Sequence, residues 1–349
     1  MNLNRAHLIQ LKPTAEQKQA FAKACGTARF TYNWALACYK EALDKGEKPN
    51  IDALKKQWNA SKPEWVYESP KDANQQPFTN LKASFSKFFS KLSAFPSFKK
   101  KGQRDSFYVS NDKFSINGKE VRLPVIGKVK MTESLRFEGK IQSGTVSRKG
   151  DKWFLSISVQ TEIEDTRATT GTVGIDLGIK SLAVLSDKTE VPNPKPLKTN
   201  LQRLHRLQKA MSRKLKGSKN WVKSVTKLRK LYYKISCVRN DNIHKATTTI
   251  AKNHGTVVVE TLGVSNMLKN SRLSRAISDC GFYEFKRQLL YKCRKVVEAP
   301  RFYPSSKTCS GCGNIKDVLL LSERTYKCTS CSLSINRDLN AAINLSRLA

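Results

Sequence analysis

Along residues 3–11 the side chains alternate, with Leu3, Arg5, His7, Ile9 and Leu11 on one side, and this period of two predicts a strand. Lys12-Pro13 ends it. Thr14, with Gln17 three residues on, forms a capping-box signature, so a helix is expected to start there. The period then lengthens to that of a helix. Phe21, Ala24, Ala28, Tyr32, Ala35, Leu36, Tyr39 and Leu43 mark one apolar face, and Gly46 stops the helix after about Lys45. A shorter helix is predicted after Asn50, through Leu54 and Trp58. A third is expected over 74–92, where Phe78, Leu81, Phe85, Phe88, Phe89 and Leu92 read as a core stripe and Lys82, Lys87 and Lys91 face outward.

From Ser106 to Thr161 the pattern changes to short strands and glycine-bearing turns. Strands are expected near 106–110, 121–123, 127–131, 142–148 and 153–161; in the last, Trp153, Leu155, Ile157 and Val159 alternate with Phe154, Ser156, Ser158 and Gln160. Together with residues 3–11 they predict a small β-barrel, interrupted by the helical segment 14–101. The polar stretch 162–170 reads as a linker.

After the linker, Thr172 to Ser186 reads as two buried strands joined by a tight turn at Gly178, and a third strand is expected near Glu190. Residues 198–254 predict a helical hairpin broken near Gly217-Ser218. One apolar stripe is Leu201, Leu204, Leu207, Met211 and Leu215; the other is Val222, Val225, Leu228, Tyr232 and Ile235. The run Thr256-Val257-Val258-Val259 reads as a central parallel strand. A helix over 276–294, a strand over 295–299 and a C-terminal amphipathic helix complete the reading.

Three carboxylates interrupt these apolar patterns. Asp176 sits among Ile175, Leu177 and Ile179, Glu260 ends the β-branched run, and Asp338 lies near the start of the last helix. For Asp176 alone a turn cap is the simpler explanation. Three carboxylates on two strands and a helix can instead converge on divalent metal, since hard oxygen ligands suit Mg²⁺ and a two-ion site can clamp the attacking and leaving oxygens of a phosphodiester. The blocks Gly174-Ile175-Asp176-Leu177-Gly178, Val258-Val259-Glu260-Thr261-Leu262 and Asn336-Arg337-Asp338-Leu339-Asn340-Ala341-Ala342 resemble the three RuvC motifs of TnpB proteins, the RNA-guided DNA nucleases of bacterial insertion sequences and relatives of the type V CRISPR effectors.

The resemblance covers essentially the whole chain and is most specific over 172–344. It implies an α+β multidomain fold: a wedge barrel (1–13 and 102–165) split by a helical recognition insert (14–101), then an RNase H-like RuvC domain (166–349) with an inserted zinc ribbon (303–334). It implies Asp176, Glu260 and Asp338 as catalytic ligands of two Mg²⁺ ions, and DNA cleavage next to a short flanking motif. The implied partners are a guide RNA copied from the transposon end and double-stranded target DNA, bound by a monomer. Two alternatives stay open: a guided DNA-binding repressor that no longer cuts, and a transposase acting without a guide.

Charge narrows the partners. Lys and Arg number 64 against 28 acidic residues, a formal net charge of +36, which points to a polyanion. Between Lys195 and Lys252 there are seventeen basic residues and one acid, Asp241, so the hairpin repels itself unless a phosphate backbone lies beside it. Lys82, Lys99, Lys100, Lys101, Lys209, Arg213, Lys214 and Lys216 are the candidate nucleic-acid contacts. No apolar run reaches the ~20 residues of a spanning helix, and the N-terminus lacks a signal-peptide core, so a cytoplasmic protein is expected.

Of nine cysteines, Cys309, Cys312, Cys328 and Cys331 form C-x₂-C-x₁₅-C-x₂-C, the spacing of a structural zinc ribbon holding one ion. Ser332 stands where relatives commonly have glycine, which predicts strain in the second knuckle. Cys25, Cys38, Cys237, Cys280 and Cys293 read as small buried hydrophobes. His7, His205, His244 and His254 are too scattered to form a site.

Overall fold

Thr14 accepts the Gln17 N–H while the Gln17 side chain accepts the Thr14 N–H, so the capping box forms and starts helix α1, Ala15–Asp44. The computed structural model describes residues 2–162, 165, 167–320 and 322–349. Part of the expected linker, residues 163, 164 and 166, lies outside the described residues. The chain divides into two units, residues 1–164 and 165–349.

In the first unit, β1 (Asn2–Lys12) precedes α1, α2 (Ile51–Ser61) and α3 (Lys71–Phe89). Six further strands follow: β2 (Ser106–Ser110), β3 (Ser115–Asn117), β4 (Glu120–Leu123), β5 (Gly127–Met131), β6 (Lys140–Lys149) and β7 (Lys152–Glu162). They form one antiparallel sheet in the order β2-β6-β7-β1-β5-β4-β3, with β1 between β7 and β5. Among the described residues no ladder joins the β2 edge to the β3 edge. Ile9, Leu155 and Ile157 bury one face of this sheet against Phe21 of α1, whose ring lies 5.0 Å from Trp153. The Gln17 amide also reaches the Lys128 carbonyl at 2.7 Å, which ties the start of α1 to β5.

A second core lies among the helices, where Tyr32, Leu36, Trp58, Phe78, Leu81 and Phe85 pack together. The third helix starts and ends three residues before its expected bounds. Its stripe is buried only through Phe85; Phe89, the last helical residue, is 67% exposed because no element covers it, and Leu92, past the helix, is 78% exposed. His7 is buried, and its Nδ1 accepts the Arg136 N–H at 3.3 Å. The three-residue β3 was too short to leave a period in the sequence.

The second unit opens with β8 (Thr172–Leu177), β9 (Ser181–Leu185) and β10 (Glu190–Pro192). Helices α4 (Pro196–Thr199), α5 (Leu201–Ser212) and α6 (Lys219–Asn253) follow, then β11 (Thr256–Val259), α7 (Val264–Met267), α8 (Ser274–Cys280), α9 (Phe282–Lys292) and β12 (Lys295–Glu298). Strands β13 (Thr325–Lys327) and β14 (Ser334–Asn336) and helix α10 (Arg337–Ser346) close the unit. The main sheet has the order β10-β9-β8-β11-β12, with β11 parallel to both β8 and β12. Val257, Val258 and Val259 are fully buried, as a strand covered on both faces requires.

Ser218 caps α6 by accepting the Trp221 N–H, and Gly217 takes a left-handed backbone, φ 91°, at the break of the hairpin. Only a narrow seam of Leu204, Leu228, Leu231 and Ile235 is buried there. Leu215, Val222 and Tyr232 of the expected stripes are exposed, since twelve residues of α5 cover only part of thirty-five in α6. The helix expected over 276–294 is two helices. Gly281, φ 72°, breaks it where α8 and α9 pass α6; a Cβ there would lie 3.1 Å from Arg239 Cδ and Ile243 Cδ1. Leu290 and Cys237, expected inside, are exposed. Among the described residues no helix is long and apolar enough to cross a membrane.

Candidate active site and metal centre

The ladder between β8 and β11 pairs Val258 with Gly174 and Val259 with Ile175. One residue further, the same register sets Glu260 beside Asp176 at the carboxyl-terminal edge of the two strands. A slip of one residue would turn one of them to the opposite face. The Leu177 N–H donates to Glu260 Oε1 at 3.1 Å, which fixes one oxygen of that carboxylate.

Helix α10 brings the third carboxylate. A Cβ on Gly174 would lie 2.0 Å from the Ala342 carbonyl oxygen and 2.4 Å from the Ser346 nitrogen, so only glycine lets this turn of α10 rest on the strand. Asp338 is one helical turn before Ala342, about 6 Å back along the axis, and Asp176 is two residues beyond Gly174, about 6.6 Å along the strand. The two rises match, and Asp338 arrives at the level of Asp176. Asn336 caps α10 by accepting the Asp338 and Leu339 N–H groups, so Asp338 sits in the first turn, where a carboxylate is favoured. Arg337 Nε lies 3.5 Å from Asp338 Oδ1.

The electrostatics register this convergence. Burial, then the charges of Glu260 and Asp338, push the Asp176 carboxyl far above the usual carboxylate range, and Arg337 only partly offsets them. Burial raises Glu260 to about 7, against the Leu177 N–H and with the help of Asp338. Like charges gathered in a poorly hydrated place disfavour ionisation, and a bound cation reverses that balance. The donor set therefore fits a hard divalent ion. Gly178, expected to give the adjoining turn its freedom, has an ordinary backbone and hydrogen-bonds to Leu182 through its N–H at 3.2 Å.

The four cysteines are gathered more tightly. Their sulfurs all lie within 4.8 Å of one another, and among the described residues they are the one cluster of His, Cys, Asp or Glu drawn together to this degree. Cys309 and Cys331, and likewise Cys312 and Cys328, are 3.6 Å apart. Tetrahedral zinc with sulfurs at about 2.3 Å requires edges of about 3.8 Å, so the cluster fits structural zinc. The N–H groups of Cys331 and Ser330 point at Cys328 and lower its thiol to about 6. Within the same cluster Cys331 is raised, as its neighbours share the remaining protons. Outside it, burial raises Cys25, Cys280 and Cys293, as inert core thiols. Ser332 is left-handed, φ 58°, as the missing glycine predicts, a cost of about 1–2 kcal/mol.

The candidate cations differ among themselves. Lys82 is paired with Asp52 at 2.9 Å. The Lys99 ammonium lies 3.9 Å over the Tyr32 ring, and desolvation there lowers its pKa, although the residue as a whole is exposed. Lys214 donates to Ser224 Oγ. Lys100, Lys101, Lys209, Arg213 and Lys216 are exposed. Gly174 and Asn340 stand in the motif blocks, but their packing and hydrogen-bonding roles, and Asn344 altogether, escaped the sequence reading. Gly174 could have been found from its place two residues before Asp176 on the same face.

Over 98% of its length this chain is 34% identical to "Putative RNA-guided DNA endonuclease InsQ" of Escherichia coli K12, covering 91% of that protein. It is equally identical to "Putative RNA-guided DNA endonuclease" of Streptomyces pristinaespiralis, over 98% of this chain and 89% of that one. The chain belongs to the TnpB, or IS605 OrfB, family. Within it, residues 155–271 match the family model "Probable transposase", and residues 282–345, which span all four cysteines, match "Cas12f1-like, TNB domain". Residues 1–48 match a model described as a helix-turn-helix domain. Here, however, they form a strand and one continuous thirty-residue helix, so they give no recognition-helix geometry. In fold, the chain resembles the mini-RNA-guided endonuclease CRISPR-Cas_phi3 at a TM-score of 0.51 and 10% identity, covering 99% of this chain and 92% of that one.

Proposed function

We propose that this TnpB-family chain is an RNA-guided DNA endonuclease that hydrolyses DNA phosphodiesters with Asp176, Glu260 and Asp338. The observation that carries the reading is the meeting of the three carboxylates at one sheet edge, with Asp176 driven toward protonation by burial and by the other two. Such a site is unfavourable empty of cations and favourable with them. Two Mg²⁺ ions held by these residues would supply an activated water and charge compensation at the leaving oxygen. The chain's own contribution is positional. The β8–β11 register sets Asp176 beside Glu260, the Leu177 N–H orients Glu260, and α10 delivers Asp338.

We read residues 166–349 as the RNase H-like RuvC domain with its zinc ribbon at 303–334. Residues 1–13 and 102–165 are read as the wedge barrel, and 14–101 as the recognition insert. The net charge of +36 and the names of the two relatives support a guide RNA and target DNA as partners, and we read the DNA as double-stranded and the protein as a monomer. Base pairing then carries sequence recognition, and the protein reads the RNA–DNA duplex by its backbone and a short flanking motif.

The test is Asp176→Ala, assayed with one guide and one matched target. Cleavage with Mg²⁺ is expected to fall at least 10³-fold while gel-shift binding stays within about threefold, since the three carboxylates act as a unit and binding uses other groups. Comparable cleavage by the variant would put the site elsewhere. Wild-type cleavage that is equal with and without RNA would favour a transposase acting without a guide.

A further inference from the structure

A cleft of about 500 Å³ lies between the β8–β9 turn, α4 and α8. Four cations line it: Lys195 and Lys198 from one wall, Arg272 and Arg275 from the other. None of the four pairs with a carboxylate among the described residues. Asp279 is the one acid in the lining, and it is already engaged. Its carboxylate accepts the Leu197 N–H at 2.9 Å, the Lys198 N–H at 3.0 Å and Arg239 Nη2 at 3.0 Å. Asp279 thus fixes α4 in place, and the open side of the cleft is left positive.

The position is as informative as the charge. Ile179, also in the lining, is three residues past Asp176, at most about 10 Å of extended chain. Its carbonyl accepts Asn193 Nδ2 at 2.8 Å, and the same amide nitrogen is 3.3 Å from Cys280 Sγ, so α8 is held against the turn. The segment carrying Arg272 and Arg275 leaves the edge of β11 that Glu260 ends. Both walls therefore belong to the edge of the sheet that bears the carboxylates.

We infer that this cleft holds a backbone phosphate of the DNA strand being cut, one or two nucleotides from the scissile bond. Resting on the nuclease reading above, it adds the group that registers the substrate. Guanidinium groups grip a phosphate in a fork, and a contact so close to the carboxylates fixes which bond they meet. Gly174 and Asp176 face α10, whereas Ile175 and Ile179 pack with Ile277 and Cys280 of α8, so a strand leaving Asp176 rounds the edge of the sheet at Ile179 to reach the cleft. A guide strand paired elsewhere has no reason to follow that edge.

The test is a cycle between protein and substrate, using the full chain with guide RNA. Target DNAs carry one uncharged methylphosphonate linkage at each of the three phosphates on either side of the cut. With wild-type protein, one of these linkages is expected to slow cleavage about tenfold. Arg272→Ala with Arg275→Ala is expected to slow cleavage of ordinary DNA about tenfold and to show no further loss at that linkage, as for partners in one contact. Arg275→Lys, keeping the charge, is expected to retain at least a third of the rate. Losses that multiply at every linkage, or a double variant as fast as wild type, overturn the inference. So does a parallel fall in guide-RNA affinity, which would assign the phosphate to the guide. Absence of any cutting by wild type defeats the nuclease reading itself and is told apart by that control.

Discussion

The crowding of the three carboxylates has a price in stability that can be measured without any nucleic acid. Glu260 has an ordinary pKa of 4.5 and is raised to about 7 by its burial in the folded protein. A group raised in this way contributes stability that is full below pH 4.5 and is lost as the pH climbs through 7. At pH 8 the loss reaches up to about 3 kcal/mol, at roughly 1.4 kcal/mol per tenfold change in proton affinity. Glu260→Gln removes the charge and leaves an amide oxygen that can still accept the Leu177 N–H. It also removes the larger of the two charges pressing on Asp176. For a unit the size of residues 165–349, the variant is expected to melt about 6–12 °C above wild type at pH 8. At pH 4 the two are expected to melt together. The assay is thermal unfolding of guide-free protein across pH 4–8, dialysed without chelator so that the ribbon keeps its metal. Millimolar Mg²⁺ at pH 8 is expected to raise wild type toward the variant and to move the variant little. An advantage of the variant that is independent of pH, or a wild type indifferent to Mg²⁺, would refute the argument that these carboxylates await a cation.

Two further outcomes are open to direct test. Gly174→Ala drives a methyl into the backbone of α10 and is expected to cost at least about 3 kcal/mol by denaturant unfolding, with cleavage lost as Asp338 is displaced; a stable, active variant would contradict the close approach. The ribbon is expected to hold about one zinc per chain by metal analysis, and Cys312→Ser to lose it together with the cooperative melting of residues 303–334, because binding here is folding free energy; folded protein purified without chelator and free of zinc would defeat this.

Periods were legible wherever an element was long enough to repeat and one face was covered. The capping box at Thr14, the strands from Ser106 to Thr161 and the break at Gly217 are all present. What the periods could not tell was where cover ends. Phe89 and Leu92 continue the spacing of Phe78, Leu81 and Phe85, yet the helix ends uncovered at Phe89, Leu92 lies past its end, and both face solvent. Gly281 breaks a helix because α6 passes beside it, a reason found in another part of the chain. The carboxylates were legible as single exceptions to apolar runs. Their mutual register was not, because it depends on the pairing of Val259 with Ile175 across more than eighty residues. The cleft beside Ile179 left no linear mark at all, since its cations come from two separated segments.

Helix α10, which carries Asp338, joins the carboxylates and the four-cysteine ribbon physically. One face of α10 rests on Gly174, while its other contacts reach the first zinc knuckle. The Ser310 N–H donates to the fully buried Asn340 at 2.9 Å, and the Asn340 amide donates to the Thr308 carbonyl at 2.7 Å. Asn344, one turn on, donates to the carbonyls of Ser305 and Thr308, and Arg347 to that of Ser310. These bonds bracket Cys309, so the loop that supplies a zinc thiolate is held by the helix that supplies a carboxylate. Buried amides with fixed partners tolerate little displacement, because each bond lost leaves a desolvated polar group. A ribbon loosened by loss of zinc would therefore release α10 at its outer face while Gly174 still received it at the inner one. The tilt that resulted would be felt at the start of the helix, where Asp338 must meet Asp176. In this arrangement the fold of the four-cysteine ribbon and the alignment of the carboxylates are linked, and the two buried asparagines are the links.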